Sequence, residues 1–540
     1  MPGSHLLLAA PPPNFETGSG SELELLLGVL LLVALLTVVA GRIGVPYPIL
    51  MTLGGLLLGL IPDLPRLVLA PELVFVLILP PLLFGAAFFT SPRELWRNAR
   101  PIGLLAIGLV LVTTVAVAVV VHALVPTIGW AAAFALGAIV SPPDAVAATA
   151  IAQRLGLPPR LVTIIEGESL VNDATALVVL RLAVVAVGSG TFSIGEAAMS
   201  YVWVSIGGVL VGLVIGWIAV QIEARLTDPP VEVLVSLLAP VAAWLPAERL
   251  GVSGVLSVVT AGIVLGRAAP RVMSSDTRVL GSGVWQMLVF TVNGLVFVLI
   301  GLQLPTIIEV VAANASVGEV LLVALAVCGT VIAVRLAWVF PATYLPGWLI
   351  PALRARDPAP NPRIVTILGW SGMRGVVSLA AALTLPPTVP FRDLLLFLTF
   401  AVILATLVGQ GLTLPFLIRR LGVGDDGSVQ HEEIHAREAS VEAALGRLEE
   451  LAVEWPDHLE LIEQLRARYE HAEEHLEHDH EGAGAREPDQ EQIDHEAIRR
   501  SVIDSQRVAI IDLRDRGVIG DAALRRVERD LDLEELRAEG

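Results

Sequence analysis

Lysine is absent from these 540 residues, and cysteine occurs once, at Cys328. A single cysteine excludes an intramolecular disulfide framework. All 35 basic residues are therefore arginine, a habit of composition that carries no chemistry of its own. Charge is scarce as well: charged residues make up 16% of the chain and hydrophobic ones 55%. Ordinary soluble domains carry about 25% charge. The apolar residues also come in long runs. Together these features exclude a disordered chain, a disulfide scaffold and a typical cytosolic enzyme. The N-terminus, Met1 to Phe15, has no positive n-region, and its short apolar stretch runs into Pro11, Pro12 and Pro13. That is not a signal peptide, and residues 1–21 are expected to form a short extracytoplasmic arm.

What charge there is divides the chain. Residues 1–420 hold 21 Arg and 20 Asp+Glu, whereas residues 421–540 hold 14 Arg and 33 Asp+Glu. Eight of the ten histidines also follow residue 420. The expected organisation is a membrane domain over residues 22–420 and an acidic, helical, water-soluble tail over residues 421–540. The tail's acidity argues against nucleic acid or anionic lipid as its partner.

A bilayer core about 30 Å thick takes roughly 20 apolar residues per helix. On that measure thirteen spans are expected, near 24–41, 46–62, 72–90, 101–123, 128–152, 160–187, 199–221, 230–246, 251–266, 283–304, 315–345, 364–385 and 393–417. With the N-terminus outside, the cytoplasmic loops and ends hold 15 arginines and the outer loops hold only Arg66, Arg249 and Arg392. This bias is a strong positive-inside signal. An odd number of spans places the tail in the cytoplasm, and the bilayer is the first partner.

Arg181, Arg335 and Arg374 fall inside spans, as do several carboxylates. Charges at bilayer depth cost a few kcal/mol each and are usually functional, or paired to support function. The fifth span contains Ser141-Pro142-Pro143-Asp144. Proline has no N–H and clashes with the carbonyl four residues back, so the helix should break and free the carbonyls of Ala138 and Ile139 as ligands for a hard cation. Such a break is tolerated only where it lines a cavity or is covered by protein. A plain proline kink with a snorkelling Asp144 is the alternative, but Asp144 lies near mid-span, out of reach of the interface.

The sixth span contains Glu166-Gly167-Glu168-Ser169-Leu170-Val171-Asn172-Asp173. Glu166, Ser169 and Asp173 share one helix face, and Glu168 and Asn172 share the adjacent one. An all-structural ion-pair network would leave at least one carboxylate over. The twelfth span carries Gly369-Trp370-Ser371-Gly372-Met373-Arg374-Gly375, whose glycines weaken the helix and allow close backbone approach. Grouped as six spans, a linker and six more, the halves are inverted, and both interrupted spans are fifth in their half. Paired broken helices at matching positions point to the midplane site of a secondary transporter. The expected fold is an all-α membrane protein of about 13 transmembrane helices, two inverted six-helix repeats with interrupted helices five and twelve.

The sequences SPPDAVAATA, EGESLVNDATALVVLR, VWQMLVFTVNGLVFVLIGLQLP, GMRGVVSLAAALTLP and GQGLTLP occur in order in the fifth, sixth, tenth, twelfth and thirteenth spans. Over about residues 22–420 the chain thereby resembles the monovalent cation:proton antiporter-1 family, which includes the sodium/proton exchangers. The resemblance implies that Asp173 binds the cation or the proton, with Asp144 and Ser169 as further cation ligands. Asn172 matches the asparagine of the generally electroneutral branch. Glu168 and Arg335 match an intramembrane ion pair, and Arg374 an arginine of the second interrupted helix. Glu166 and Arg181 are taken as further supporting charges. The resemblance also implies a homodimer in which spans four to six and eleven to thirteen move against the rest. Two positions depart from the family: Pro143 stands where many members have Thr, and Gly85 where many have a Glu that contacts the ion through water. Both bear on ion preference more than on the basic activity.

One site that binds either a cation or a proton suffices for exchange, because an empty charged site is costly to carry across the bilayer. The expected activity is exchange of a monovalent cation, first Na+, for H+ across the plasma membrane. Na+ and H+ are cargo, and no resident cofactor is expected. The rival readings are K+/H+ exchange, a channel, and a transport-dead sensor that signals through its tail. Helical patterns at residues 432–478 (Leu445, Leu448, Leu451, Leu459, Ile462, Leu465) and about 491–537 flank a linker near Gly482–Pro488. Such a small helical domain is expected to assist dimerisation or to regulate transport through a regulator acting on the tail. His471, His475 and His478 share a face, with His480 nearby. That is the pattern of a metal or pH sensor, or of a solvated polar face, which is the expected one.

Overall fold

The computed structural model describes residues 20–61, 74–189, 194–314, 316–351, 360–424 and 428–481, with scattered residues between 502 and 531. The described residues form helices and no strand. The chain divides into two compact units, Met1–Asp426 and Gly427–Gly540.

In the first unit each of the thirteen apolar segments coincides with a helix or a broken pair. They are α1 (Gly20–Ile43), α2 (Tyr47–Gly59), α3 (Val74–Phe89), the short α4 (Pro92–Arg97), α5 (Ala99–Leu124), α6 (Trp130–Val140) and α7 (Ala145–Arg154). There follow α8 (Pro159–Ser189), α9 (Ile194–Glu223), α10 (Pro229–Arg249), α11 (Gly254–Val272) and α12 (Ser275–Asn314). The last are α13 (Val317–Leu349), α14 (Pro362–Trp370), α15 (Val376–Leu383) and α16 (Arg392–Leu421). Among the described residues nine spans, with α6 and α7 taken together, are long and apolar enough to cross a membrane. α1, α2 and α3 are shorter apolar helices, and the α14–α15 pair is interrupted.

Small residues bring these helices close where no hydrophobic drive separates protein from lipid. A Cβ on Gly208, Gly212 or Gly216 of α9 would strike α11 at Ser253, Ser257 or Val264. Gly55 and Gly301 do the same at the crossing of α2 and α12, where each lies against the other helix's backbone. Three further features lie beyond the apolar pattern: wider π turns at Val74–Ile78, Leu104–Leu109 and Ala405–Gln410. One extra residue per turn leaves no mark in hydropathy, and such turns often occur at functional sites.

The two breaks fall where the sequence places them. Pro142 and Pro143 lack the N–H groups that would continue α6 beyond Val140, and Asp144 then caps α7, its Oδ1 accepting from Val146 N at 2.8 Å. α14 stops at Trp370, and the extended stretch to Gly375 leads into α15. The stretches meet: Asp144 N donates to Met373 O at 2.7 Å.

In the second unit α17 (Ser428–Glu454) packs on α18 (Leu459–Glu481). Leu448 and Ile462 are buried as expected, whereas Leu459 and Leu465 are exposed and Val441 is buried as well. Arg447 pairs with Glu450 and Glu454 at 2.6 and 3.1 Å, on an exposed face. His471, His475, His478 and His480 lie on α18, but their side chains fall outside the described set, as do the Gly482–Pro488 linker, most of the second helical pattern and nearly all of the N-terminal arm.

Candidate functional site

A cavity of about 650 Å³ opens beside the crossed breaks. Asp144, Glu166, Ser169 and Asp173 all line it, so the face read from the i, i+3, i+7 spacing on α8 is the face it presents. From the carboxylates the cavity runs past Thr149 and Gln153 of α7 to Phe89 and Thr90 at the end of α3.

The two aspartates are held differently. Asp144 is tied to the backbone: besides capping α7, its carboxylate accepts from Val376 N at 3.3 Å. Two helix N-termini, of α7 and α15, therefore point at one carboxylate, and both dipoles favour its charge. Gly375 makes this possible, since a Cβ there would fall inside the Asp144 carboxyl group. Asp173 is 3% exposed and receives no hydrogen bond from any described residue. Ser169 Oγ accepts from Ala145 N at 3.4 Å, fastening α8 to the start of α7.

Gly375→Ala should push the α15 N-terminus off Asp144. A displacement of about 1 Å at a reacting centre costs on the order of a hundredfold. The variant is expected to remain folded by size-exclusion chromatography in detergent and to lose cation-dependent ΔpH dissipation to that extent. Unchanged exchange would show that the crossing tolerates a wider gap.

The other predicted residues stand behind the cavity. Asn172 is fully buried and donates its Nδ2 to Pro143 O at 3.0 Å, so its amide fastens the break. Arg374 is also fully buried; its Nε donates to Val140 O at 3.0 Å, its Nη2 to Ser141 O at 3.3 Å, and its Nη1 to Gly372 O. The expectation of a free carbonyl is thus corrected at Ala138. Ser141 Oγ occupies Ala138 O at 3.0 Å, and Arg374 sets its charge on the carbonyl end of α6. A cation placed there would meet a guanidinium. Glu168 and Arg335 form a bidentate pair at 2.5 and 2.9 Å, each 1% exposed, and Arg335 also donates to Leu368 O at 3.1 Å. This clamps α8 and α13 to α14.

Arg181 is not brought to the cavity. It pairs with Glu248 of α10 at 2.8 Å, beside a second groove of about 680 Å³ that Thr384 and Pro386 also line. Sequence reasoning assigned no part to Tyr47, Asn293 or Ser378, which also line the main cavity. Asn293 was visible as an amide in the middle of an apolar span, whereas Tyr47 and Ser378 carried no signal.

Two interrupted helices crossing beside buried carboxylates, in a bundle of apolar spans, are the architecture of a secondary transporter. The chain belongs to the transmembrane sodium/hydrogen exchanger family, whose pattern it matches over residues 28–420. It is similar to a Na+/H+ exchanger of Mycobacterium tuberculosis, with 36% identity over 95% of this chain and 96% of the relative. It is also 33% identical to the low-affinity Na+/H+ antiporter NhaS1 of Synechocystis, over 79% of this chain and 78% of that one. The sodium proton antiporter MjNhaP1 of Methanocaldococcus jannaschii shares the fold, with a TM-score of 0.57, 21% identity, and coverage of 74% of this chain and 99% of that one. Family membership makes this a multi-pass membrane protein and supports cation/proton antiport.

Proposed function

We propose that this protein exchanges Na+ for H+ across the plasma membrane, one for one and without net charge movement, by alternating access at a single site. The observation that carries the reading is Asp173: a buried carboxylate on a cavity of about 650 Å³, with no fixed partner among the described residues. An uncompensated charge there is costly, so Asp173 is occupied by a cation or by a proton, one excluding the other. Asp144 and Ser169 complete the cation's oxygen shell. Glu166, half-buried nearer the mouth, draws cations in. Asn172 and Arg374 hold the break, and Glu168 with Arg335 holds α8 to α13 and α14.

Because Asp144 is held by two helix dipoles and Asp173 is not, Asp173 carries the exchanged proton. The cavity reaches the ends of α3 and α7, beside Arg93 and Arg154, which the arginine bias assigns to the cytoplasm. The conformation is then the cytoplasm-facing one, with N-terminus outside and tail inside. The functional unit is a homodimer in the bilayer, with α17 and α18 available to a cytoplasmic regulator and no resident cofactor.

A broader cation range is the second reading. It is favoured by 35% identity to the sodium, potassium, lithium and rubidium/H+ antiporter of Bacillus subtilis, over 69% of this chain and 58% of that one. Inverted vesicles carrying the protein are given a proton gradient and then Na+, Li+, K+ or Rb+. Dissipation with Na+ at the lowest concentration, unaltered by a potassium/valinomycin clamp, is expected. Equal responses to K+ and Rb+ would favour the broader range, and no response to any cation would overturn antiport.

A further inference from the structure

Asn293 lies in the middle of α12 and lines the cavity with Asp144 and Asp173. It is 2% exposed, and its Oδ1 has no hydrogen-bond partner among the described residues. An unpaired buried acceptor costs about 1–3 kcal/mol, a cost that a bound ligand would remove. Gln286, two turns earlier on α12, also lines the cavity but is exposed. Trp285, Val289 and Asn293 recur every four residues on one face of α12, and the first two pack against Gly85 of α3, which has no side chain to extend into the cavity. Of the two α12 amides on the lining, Asn293 is the buried one, and its oxygen stands unpaired beside two carboxylates.

Two carboxylates exclude an anionic ligand. A hard cation takes carboxylate, hydroxyl and amide oxygens together. The amide can also turn about its Cβ–Cγ bond and present either end. Its NH2 suits the carboxylates of an empty site, and its oxygen suits a bound cation.

We propose that Asn293 is a cation ligand and a specificity-determining residue of this exchanger. This rests on the reading of the cavity as the exchange site. Its oxygen adds coordination without charge, so it strengthens cation binding while the one-for-one exchange stays balanced. Small cations hold their water most tightly and gain most from each oxygen that replaces it, so loss of the oxygen weighs on Li+ and Na+ more than on K+.

The test compares intact protein, Asn293→Leu, Asn293→Asp and Asp173→Asn by ΔpH dissipation in proteoliposomes, titrated with Li+, Na+ and K+. Leu fills the amide's volume without an oxygen, and Asp restores one. Asn293→Leu is expected to raise KM for Na+ and Li+ about tenfold, a loss of one charged hydrogen-bond equivalent, and KM for K+ less, with Vmax largely kept. Asn293→Asp should return KM for Na+ to near the intact value. An unchanged KM with reduced Vmax in Asn293→Leu would overturn the proposal, since a packing role does that. So would a loss in Asn293→Leu that Asn293→Asp fails to restore. Should Asn293→Leu not fold, the comparison moves to Asn293→Ala against Asn293→Asp under the same criteria. Full exchange by Asp173→Asn would instead overturn the site reading itself, whatever Asn293 does.

Discussion

Asp173→Asn abolishes cation-dependent dissipation of a proton gradient. The substitution is nearly isosteric and breaks no hydrogen bond, because no described residue donates to this carboxylate. Folding and helix packing are therefore expected to survive, as judged by elution profile and helical circular dichroism. What the substitution removes is the charge proposed to bind Na+ and the oxygen proposed to take up and release the proton. Exchange should fall at least about a hundredfold, as when a charged, buried interaction worth roughly 3 kcal/mol or more is removed. Asp144→Asn is expected to be milder: the amide oxygen still caps α7, and only the second contact, to Val376 N, is weakened. Exchange that persists in Asp173→Asn would place the exchanged proton elsewhere.

The second large effect concerns stability. Glu168 and Arg335 are each 1% exposed and bidentate. Removing one partner leaves an uncompensated buried charge, which costs about 3–5 kcal/mol. Arg335→Ala or Glu168→Ala is thus expected to lower the thermal unfolding midpoint in detergent sharply. The double variant Glu168→Leu/Arg335→Met should recover much of the loss, since an apolar pair of similar volume avoids desolvation altogether. Arg181 and Glu248 make an instructive contrast. Their side chains are 49% and 34% exposed, and pairs of that kind contribute at most about 1 kcal/mol. Glu248→Ala should barely move the midpoint. Similar losses at both pairs would mean that burial does not set their strength here.

Much of this site is legible in the sequence because the relevant physics is local. Two prolines in a row stop a helix wherever they occur, so the break at Ser141–Asp144 and the cap on α7 could be read directly. Spacing on α8 sorted Glu166, Ser169 and Asp173 from Glu168 and Asn172, and the cavity lies along the first group. Charge at bilayer depth pointed to Arg335 and Arg374. What the sequence hid is non-local. The carbonyls of Ala138 and Ile139 read as free cation ligands, but Ser141 Oγ takes the first, and Arg374, from the other half of the chain, bonds to the next two, of Val140 and Ser141. Gly375 read as one of three glycines that allow close backbone approach, and the sequence could not show that the approach is to Asp144. Asn293 was one amide among the three of its span, because only the fold shows that its face of α12 lies opposite Gly85 and opens on the carboxylates. The π turns, one of which ends at the buried Gln410 in α16, change register without changing composition.

The most direct test of single-site exchange is the apparent KM for Na+ measured against pH in proteoliposomes. If proton and cation compete for Asp173, protonation removes the binding site as pH falls. KM should then rise about tenfold for each unit of acidification below the site's own titration, and level off above it, while Vmax at saturating Na+ stays flat. A KM independent of pH, with Vmax alone responding, would mean that proton and cation occupy separate sites.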